Sequence, residues 1–395
     1  MDNKPRRIAN PFLVYGYEGP HYFCDREEET RKLVSALANG RNVTLAAPRR
    51  IGKTGLIHNV FNRVRNSEDN IICIYVDIFP TRCLADFVHL LGKAVFEAVQ
   101  SHSERLFSKV TSFLSSCRPA ISFDPLTGSP SFSIDIAPSM EEKSLSDIFN
   151  CLEKSEVPVY IAIDEFQQVA SYPESGTEAM LRSRIQFMHN VHFIFSGSQQ
   201  HLIYEMFLSA KRPFYNSTQI MNLTTIDPEN YYTFADRLFG EGGRTIDKSL
   251  FMFIYKCFEG YTWYVQTILN RLYETGGNIT DKSQVTEAIR DIVRENTMVY
   301  QNTIAMLPDK QLQVLKALAK EGKIATPNKG AFIQKYSLKA ASTVSSALSA
   351  LIDKELVYRS PDGEDTELSL NSYVKLMSIV NNLLSESNVL LVGEV

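Results

Sequence analysis

The tripeptide Gly52-Lys53-Thr54 has one specific chemistry open to it. Binding a chain of phosphates takes backbone N–H groups aimed at phosphate oxygens, a lysine to span the outer phosphates, and a Ser or Thr hydroxyl to hold magnesium. Gly52, Lys53 and Thr54 supply these. The segment Ala47-Pro48-Arg49-Arg50-Ile51-Gly52-Lys53-Thr54, followed by Gly55, has the spacing of a phosphate loop. Its first position, ordinarily glycine, is Ala47, which is tolerated where φ is negative and not where the backbone is left-handed. A second constellation, Tyr160-Ile161-Ala162-Ile163-Asp164-Glu165, delivers two carboxylates from an apolar run. Asp164 is suited to the magnesium shell and Glu165 to polarising an attacking water, because phosphoryl transfer needs positioning and charge compensation more than covalent chemistry. Further on, Ser196-Gly197-Ser198-Gln199 sets small polar side chains after another apolar run. Ser198 or Gln199 either senses the edge of a terminal phosphate or belongs to an ordinary strand-end turn. GxSxG is absent, which argues against covalent serine catalysis.

The elements around these motifs alternate. A short helix is expected from Thr30 to Leu37, and Asn39-Gly40-Arg41-Asn42 turns the chain into the buried-strand run Val43-Thr44-Leu45-Ala46-Ala47. The phosphate loop thus follows a strand and opens a helix expected from Lys53 to about Val64, where helix dipole and amides can hold a triphosphate. Ile71 to Asp77 reads as a strand, Leu84 to Val99 as an amphipathic helix, Leu145 to Leu152 as a helix, and Val157 to Ile163 and His192 to Ser196 as strands. Asp77, at the end of its strand, either faces the nucleotide pocket or caps a loop. Runs apolar on both faces and separated by helices predict a parallel sheet covered on both sides. Between about 101 and 142 the pattern weakens, and Asp124-Pro125-Leu126-Thr127-Gly128 is a turn between two short extended pieces; this stretch reads as an insertion.

Beyond Asp227-Pro228, an N-cap followed by proline, the sequence reads as helical to about Gln301. Helices from Lys310 to Glu321, Lys329 to Tyr336 and Ser342 to Leu356, then Val357-Tyr358-Arg359 and Glu367-Leu368-Ser369-Leu370 across Asp362-Gly363, predict a winged helix-turn-helix. The expected division is 1–226 for an N-terminal segment and α/β core, 227–303 for an all-helical lid, and 304–395 for a winged-helix domain with a C-terminal tail.

Composition narrows the function classes. The 395 residues carry 41 basic and 45 acidic side chains, a formal net charge of −4, so no global field draws the protein to nucleic acid or anionic membrane. Six cysteines, at 24, 73, 83, 117, 151 and 257, form no CxxC pair and read as reduced thiols. No stretch approaches the apolar length of a membrane span, and the start leads into no signal-like apolar region, so a cytoplasmic location is expected. His189 and His192 lack the partners a zinc site needs.

Taken together, Phe23-Cys24-Asp25-Arg26-Glu27, the phosphate loop, Ile163-Asp164-Glu165-Phe166-Gln167 and Phe195-Ser196-Gly197-Ser198-Gln199 resemble the archaeal-type ATPases of the AAA+/STAND group. The resemblance runs through most of the chain. It implies a nucleotide-binding P-loop core, a helical lid and a C-terminal winged helix, with ATP as the nucleotide, Mg2+ as the metal, and Asp25-Arg26 near the adenine end. Two segments depart from the pattern. Gly260-Tyr261 stands where a Gly-Pro pair is usual, and Asn216-Ser217 follows Pro213-Phe214-Tyr215 where Gly-Arg is usual. The usual arginine is therefore missing. Arg212, just before Pro213, is either a substitute finger acting on a neighbouring subunit or a solvated arginine.

The fold of the winged helix does not fix its function. Its recognition helix, Ser342 to Leu351, has no arginine and only Lys339 just before it, and the wing Asp362-Gly363-Glu364-Asp365-Thr366-Glu367 is acidic. Duplex binding draws on Lys and Arg against phosphates, so protein contact or intramolecular packing is the expected role and DNA the weaker one. The expectation is a Mg-dependent ATPase or ATP-driven switch, able to form a homo-oligomer and acting on a protein partner. The alternative is a nucleotide-gated protein- or DNA-binding regulator with little or no hydrolysis.

Overall fold

The computed structural model describes residues 8–67, 70–102, 117–123, 130–136, 140–321, 323–324, 327–354, 356–359 and 368–370. The described chain divides into two compact units, one of 15–226 and one of 8–14 with 227 onward.

The first unit is built on a five-stranded sheet of β1 (Val43–Ala46), β2 (Ile72–Asp77), β5 (Val159–Asp164), β6 (Val191–Gly197) and β7 (Gln219–Asn222), in the order β2-β5-β6-β1-β7. Every pair in it is parallel. All five strands therefore end at the same edge. β1 and β5 are buried along their whole length, as their uninterrupted apolar runs require. The helices are α1 (Glu27–Ala38), α2 (Lys53–Arg65), α3 (Leu84–His102), α4 (Glu141–Glu153), α5 (Thr177–Ile185) and α6 (Gln200–Leu208). Within the expected insertion, β3 (Cys117–Phe123) and β4 (Pro130–Ile136) pair antiparallel; the predicted turn at 124–128 lies outside the described residues.

One face of the sheet is packed by α3, α4, α5 and α6 through Phe87, Leu91, Leu145, Phe149, Leu181, Ile203 and Phe207. Its centre is aromatic. Phe193 and Phe195, alternate residues of β6 and so on one face, stack at 5.6 Å, and Phe195 meets Phe166 at 4.6 Å, Phe207 at 5.4 Å and Phe214 at 5.5 Å. This cluster lies directly behind the end of β6 that carries Ser196-Gly197-Ser198.

In the second unit, Asp227 caps α7 (Pro228–Glu241) as its sequence predicts, accepting the N–H groups of Glu229 and Asn230 at 2.9 and 3.1 Å, with Pro228 in the first turn. α8 (Lys248–Cys257), α9 (Thr262–Thr275) and α10 (Lys282–Ala305) follow. α10 runs through the boundary expected at 303–304, because nothing breaks the helix until Pro308. The first unit ends at Ile226 and the second resumes at Asp227, but one short segment of the range expected for the first lies in the second. Residues 8–14 belong to this unit, where fully buried Phe12 packs on Phe239 and Tyr273 at 5.1 and 5.7 Å and exchanges side-chain and backbone hydrogen bonds with Asn270 together with Asn10.

α11 (Asp309–Glu321), α12 (Gly330–Lys335) and α13 (Ala341–Asp353) pack around Leu315, Leu318, Phe332, Val344, Leu348 and Leu351. A sheet in the order β8-β10-β9, of Lys323–Ile324, Leu368–Leu370 and Val357–Arg359, completes a winged helix. α13 stops at Asp353, short of the expected Leu356, because the Leu356 N–H turns back onto the Leu351 carbonyl at 2.9 Å. The acidic wing and its Asp362-Gly363 turn lie outside the described residues.

Replacing Phe195 by alanine would empty the middle of the aromatic cluster. The expected loss is about 3–5 kcal/mol of unfolding free energy. Urea denaturation measures it, and a loss below about 1 kcal/mol would mean the cluster closes over the gap.

Candidate functional site

Between β1 and α2 the chain turns through the predicted phosphate loop. Its left-handed residues are Arg50 (φ 70°) and Gly52 (φ 100°); Ala47 is not among them, which is the condition under which alanine is tolerated there. Gly52 precedes α2 directly, and among the described residues no side chain caps that helix start. Backbone amides and the positive end of the helix dipole thus open onto the carboxyl edge of the sheet. Lys53 is only 6% exposed. Its Nζ donates to the carbonyls of Ala47 at 3.0 Å and Pro48 at 3.1 Å, so the loop folds back over the ammonium group it carries. Ile51 is buried and Gly55 faces the ring of Phe23, which a methyl at that position would meet at 3.1 Å.

Asp164, at the end of β5, is 4% exposed and lies against this helix start. Its Oδ2 accepts from Thr54 Oγ1 at 2.9 Å and from the Tyr75 hydroxyl at 2.9 Å, and its Oδ1 accepts the Glu165 N–H at 3.0 Å. Three donors around one buried carboxylate are what its charge requires. Burial, the charge of Asp164 and the hydrogen bond to it hold the Tyr75 phenol well above its ordinary pKa, so Tyr75 stays a donor. Behind it the His58 ring lies 4.7 Å away, and burial, with the charge of Arg65, holds that imidazole below its ordinary value against the opposing pull of Asp164.

Glu165 takes a left-handed backbone (φ 57°) that turns its carboxylate towards β6. There Oε2 accepts from Ser198 Oγ at 2.7 Å, from the Ser198 N–H at 3.3 Å and from Gln167 Nε2 at 2.5 Å. Arg49 of the phosphate loop completes the chain, donating from Nε to Ser198 Oγ at 3.1 Å with its guanidinium 5.5 Å over the ring of Phe79. Asp77 accepts the Phe79 N–H at 2.9 Å and so caps the turn after β2; burial, opposed by that N–H and reinforced by the charges of Asp164 and Glu165, raises its pKa. Of the two readings of Asp77, the loop cap is the one observed.

Two predicted residues sit elsewhere. Arg26 is 3% exposed, and its guanidinium donates to Glu29 at 2.9 Å, the Thr224 carbonyl at 2.6 Å and the Ile51 carbonyl at 3.4 Å; it braces the loop from behind, with Asp25 and Arg26 both left-handed. Arg212 is not drawn to the strand ends around Asp164 and Glu165. It pairs with Glu178 of α5 and, at 3.5 Å, with Glu205 of α6.

Over nearly its whole length the chain is similar to the Walker-type ATPase PABY2304 of Pyrococcus abyssi, with a TM-score of 0.63 at 16% identity, covering 93% of this chain and 99% of that one. It is similar to the ORC2 protein of Aeropyrum pernix, solved as ADPNP-ADP complexes, at a TM-score of 0.59 and 15% identity over 96% and 98% of the two chains. The Aeropyrum pernix ORC1 protein in complex with DNA follows, at 0.51 and 14% over 96% and 98%. Residues 298–365 match the model of a probable winged helix domain. The fold is that of the archaeal-type P-loop ATPases. No curated protein matches the sequence. Among the described residues no helix is long and apolar enough to cross a membrane.

Within this ATPase fold, two contributors went unassigned in the sequence. Tyr75 stands two residues before Asp77 on β2, on the face that alternation gives to Asp77, and this was its only signal. Gln167 lies in the Asp164-Glu165-Phe166-Gln167 segment, but its bond to Glu165 depends on the left-handed turn between them. Gly197 makes the close packing here achievable: a methyl on it would lie 2.3 Å from Gln167 Oε1 and 2.5 Å from Ile203. Gly197→Ala is therefore expected to cost about 1–3 kcal/mol of stability and to lower the thermal midpoint. An unchanged midpoint in calorimetry would show that Gln167 and Ile203 yield without strain.

Proposed function

We propose that the protein is a magnesium-dependent ATPase working as a nucleotide-driven switch. One observation carries this reading: Thr54 Oγ1 and Asp164 Oδ2 lie 2.9 Å apart at the start of α2, although 110 residues separate them in the chain. A hydroxyl and a carboxylate, both hard oxygen donors, suit Mg2+, which takes one or two protein oxygens and completes its shell with water and phosphate. Thr54 and Asp164 would hold the ion, whose contribution when bound is to neutralise charge on the phosphates.

Lys53 and the backbone N–H groups from Arg49 to Gly55, including those of Arg50, Ile51 and Gly52, bind the phosphates, the ammonium exchanging the Ala47 and Pro48 carbonyls for phosphate oxygens. Glu165 orients and deprotonates the attacking water, with Ser198 and Gln167 fixing its carboxylate. Arg26 acts on the nucleotide end of the loop through Ile51, and Asp25 beside it sets the same turn. Arg212 serves to hold α5 against α6, since Glu178 and Glu205 already take its charge. ATP as the nucleotide rests on the likeness in fold to a protein solved with ADPNP and ADP.

A second reading, a nucleotide-gated regulator with little hydrolysis, is favoured by the three donors that occupy the Glu165 carboxylate. On the winged helix, the exposed residues of α13 include Ser342, Ser345, Ser346 and Ser349, a face without cations. Protein contact, with a partner or a second copy in the cytoplasm, fits that face better than DNA, although a protein of similar fold was solved with DNA.

Magnesium-dependent phosphate release from ATP tests the proposal. Glu165→Gln is expected to lower kcat by about 10²–10⁴-fold while leaving ATP binding intact. Lys53→Ala is expected to lose both. Tight ATP binding without turnover in the unmodified protein would establish the second reading instead, and no nucleotide binding at all would refute both.

A further inference from the structure

We infer that Arg49 is the charge-compensating arginine of this site, supplied by the same chain that binds the nucleotide. The inference rests on the ATPase reading and names a catalytic residue within it. Arg49 belongs to the phosphate loop, four residues before Lys53. Its Nε donates to Ser198 Oγ at 3.1 Å, and Ser198 Oγ donates to Glu165 Oε2 at 2.7 Å. The guanidinium thus stands two hydrogen bonds from the carboxylate that faces the attacking water, on the side where the loop would place the terminal phosphate. Phe79, 55% exposed in the turn after β2, supports it from beneath with its ring at 5.5 Å. Four strand ends therefore converge on one cation: the loop after β1 carries it, β2 leads to its aromatic seat, and β5 and β6 supply the acid and hydroxyl that orient it. By contrast, Arg212 is held by two acids of its own unit.

The chemistry gives this cation work to do. In hydrolysis a bond forms between the water oxygen and the terminal phosphorus, while the bond from that phosphorus to the bridging oxygen breaks and its electron pair leaves on ADP. The proton of the water passes to Glu165 and from there to the released phosphate. Negative charge grows on the bridging and terminal oxygens as this happens, and a planar guanidinium with five N–H donors beside them lowers its cost. Because Arg49 is in the nucleotide's own chain, turnover needs no arginine from a neighbour.

Phosphate release from MgATP is measured for the unmodified protein and for Arg49→Ala and Arg49→Lys, with ADP affinity and capture of ADP with fluoroaluminate as separate readouts. Arg49→Ala is expected to lower kcat about a thousandfold or more and to abolish fluoroaluminate capture. ADP affinity should change little, which also shows that the variant is folded. Arg49→Lys, keeping the charge without the fork, should recover only part of kcat, and the turnover of the unmodified protein per chain should not vary with its concentration. Turnover or fluoroaluminate capture that survives Arg49→Ala overturns the inference alone. So does a loss confined to ADP affinity and KM, or turnover per chain that climbs with concentration, since the arginine would then come from a second copy. Absence of turnover in the unmodified protein overturns the hydrolytic reading and this inference with it.

Discussion

Parallel pairing of β1 with strands on both sides is the constraint on which the rest depends. β6 and β7 flank it in register, with Ala46 opposite Gly197 on one side and Asn222 on the other. β5 lies beyond β6 and β2 beyond β5. Parallel strands cannot be joined by tight turns, so each must be followed by a crossover, and every crossover leaves from the same edge. Residues 47–54, 77–79, 164–167 and 197–199 are brought to that edge by topology alone. An order that broke up β5-β6-β1 would separate Thr54 from Asp164, or Ser198 from Glu165.

At that edge the energetics run against burial, and the structure answers with hydrogen bonds. A buried ammonium and a buried carboxylate each cost several kcal/mol unless their donors and acceptors are satisfied. Lys53 meets two carbonyls, and Asp164 meets a threonine, a tyrosine and a backbone amide. Strain gathers in the same place. Arg50 and Glu165 are left-handed without being glycine, at a cost of order 1–2 kcal/mol each. In Glu165 the strain has a visible return: only that turn lets Ser198 and Gln167 reach one carboxylate oxygen.

What the sequence made legible follows from the same physics. β1, β2, β5 and β6 are short apolar runs because sheet and helices cover both their faces, and each was placed to within two residues or so. β7 was not seen. It is a half-exposed edge strand in which only Met221 is buried, so its pattern is no stronger than a loop's. α5 was missed for a similar reason, since it buries only Thr177, Leu181 and Ile185 in nine residues. In the site, residues whose chemistry depends on adjacency, such as Gly52-Lys53-Thr54 and Asp164-Glu165, could be read directly. Those whose role depends on register or on a backbone turn could not: Tyr75 needs β2 beside β5, Gln167 needs a left-handed Glu165, and the place of Arg49 against Ser198 needs β6 between β1 and β5.

The same logic explains why Arg26 is buried. It stands outside the phosphate loop in sequence, yet its guanidinium holds the Ile51 carbonyl of that loop and the Thr224 carbonyl just after β7. Thr224 is two residues before the first unit ends at Ile226, and Asp227 begins the capped helix of the second. One planar cation donates to both carbonyls, at 2.6 Å to Thr224 and 3.4 Å to Ile51, and so links the two segments, the closer bond being the one to Thr224. A shift of the loop at Ile51, such as phosphate binding would demand of a segment folded back on its own lysine, must either break a bond to a 3% exposed arginine or move Thr224 with it. Breaking it would leave the guanidinium paired with Glu29 at 2.9 Å and with the Thr224 carbonyl, so its cost is that of one long hydrogen bond. A single side chain that touches neither Thr54 nor Asp164 therefore links the chain just after β7 to the segment that would hold the phosphates.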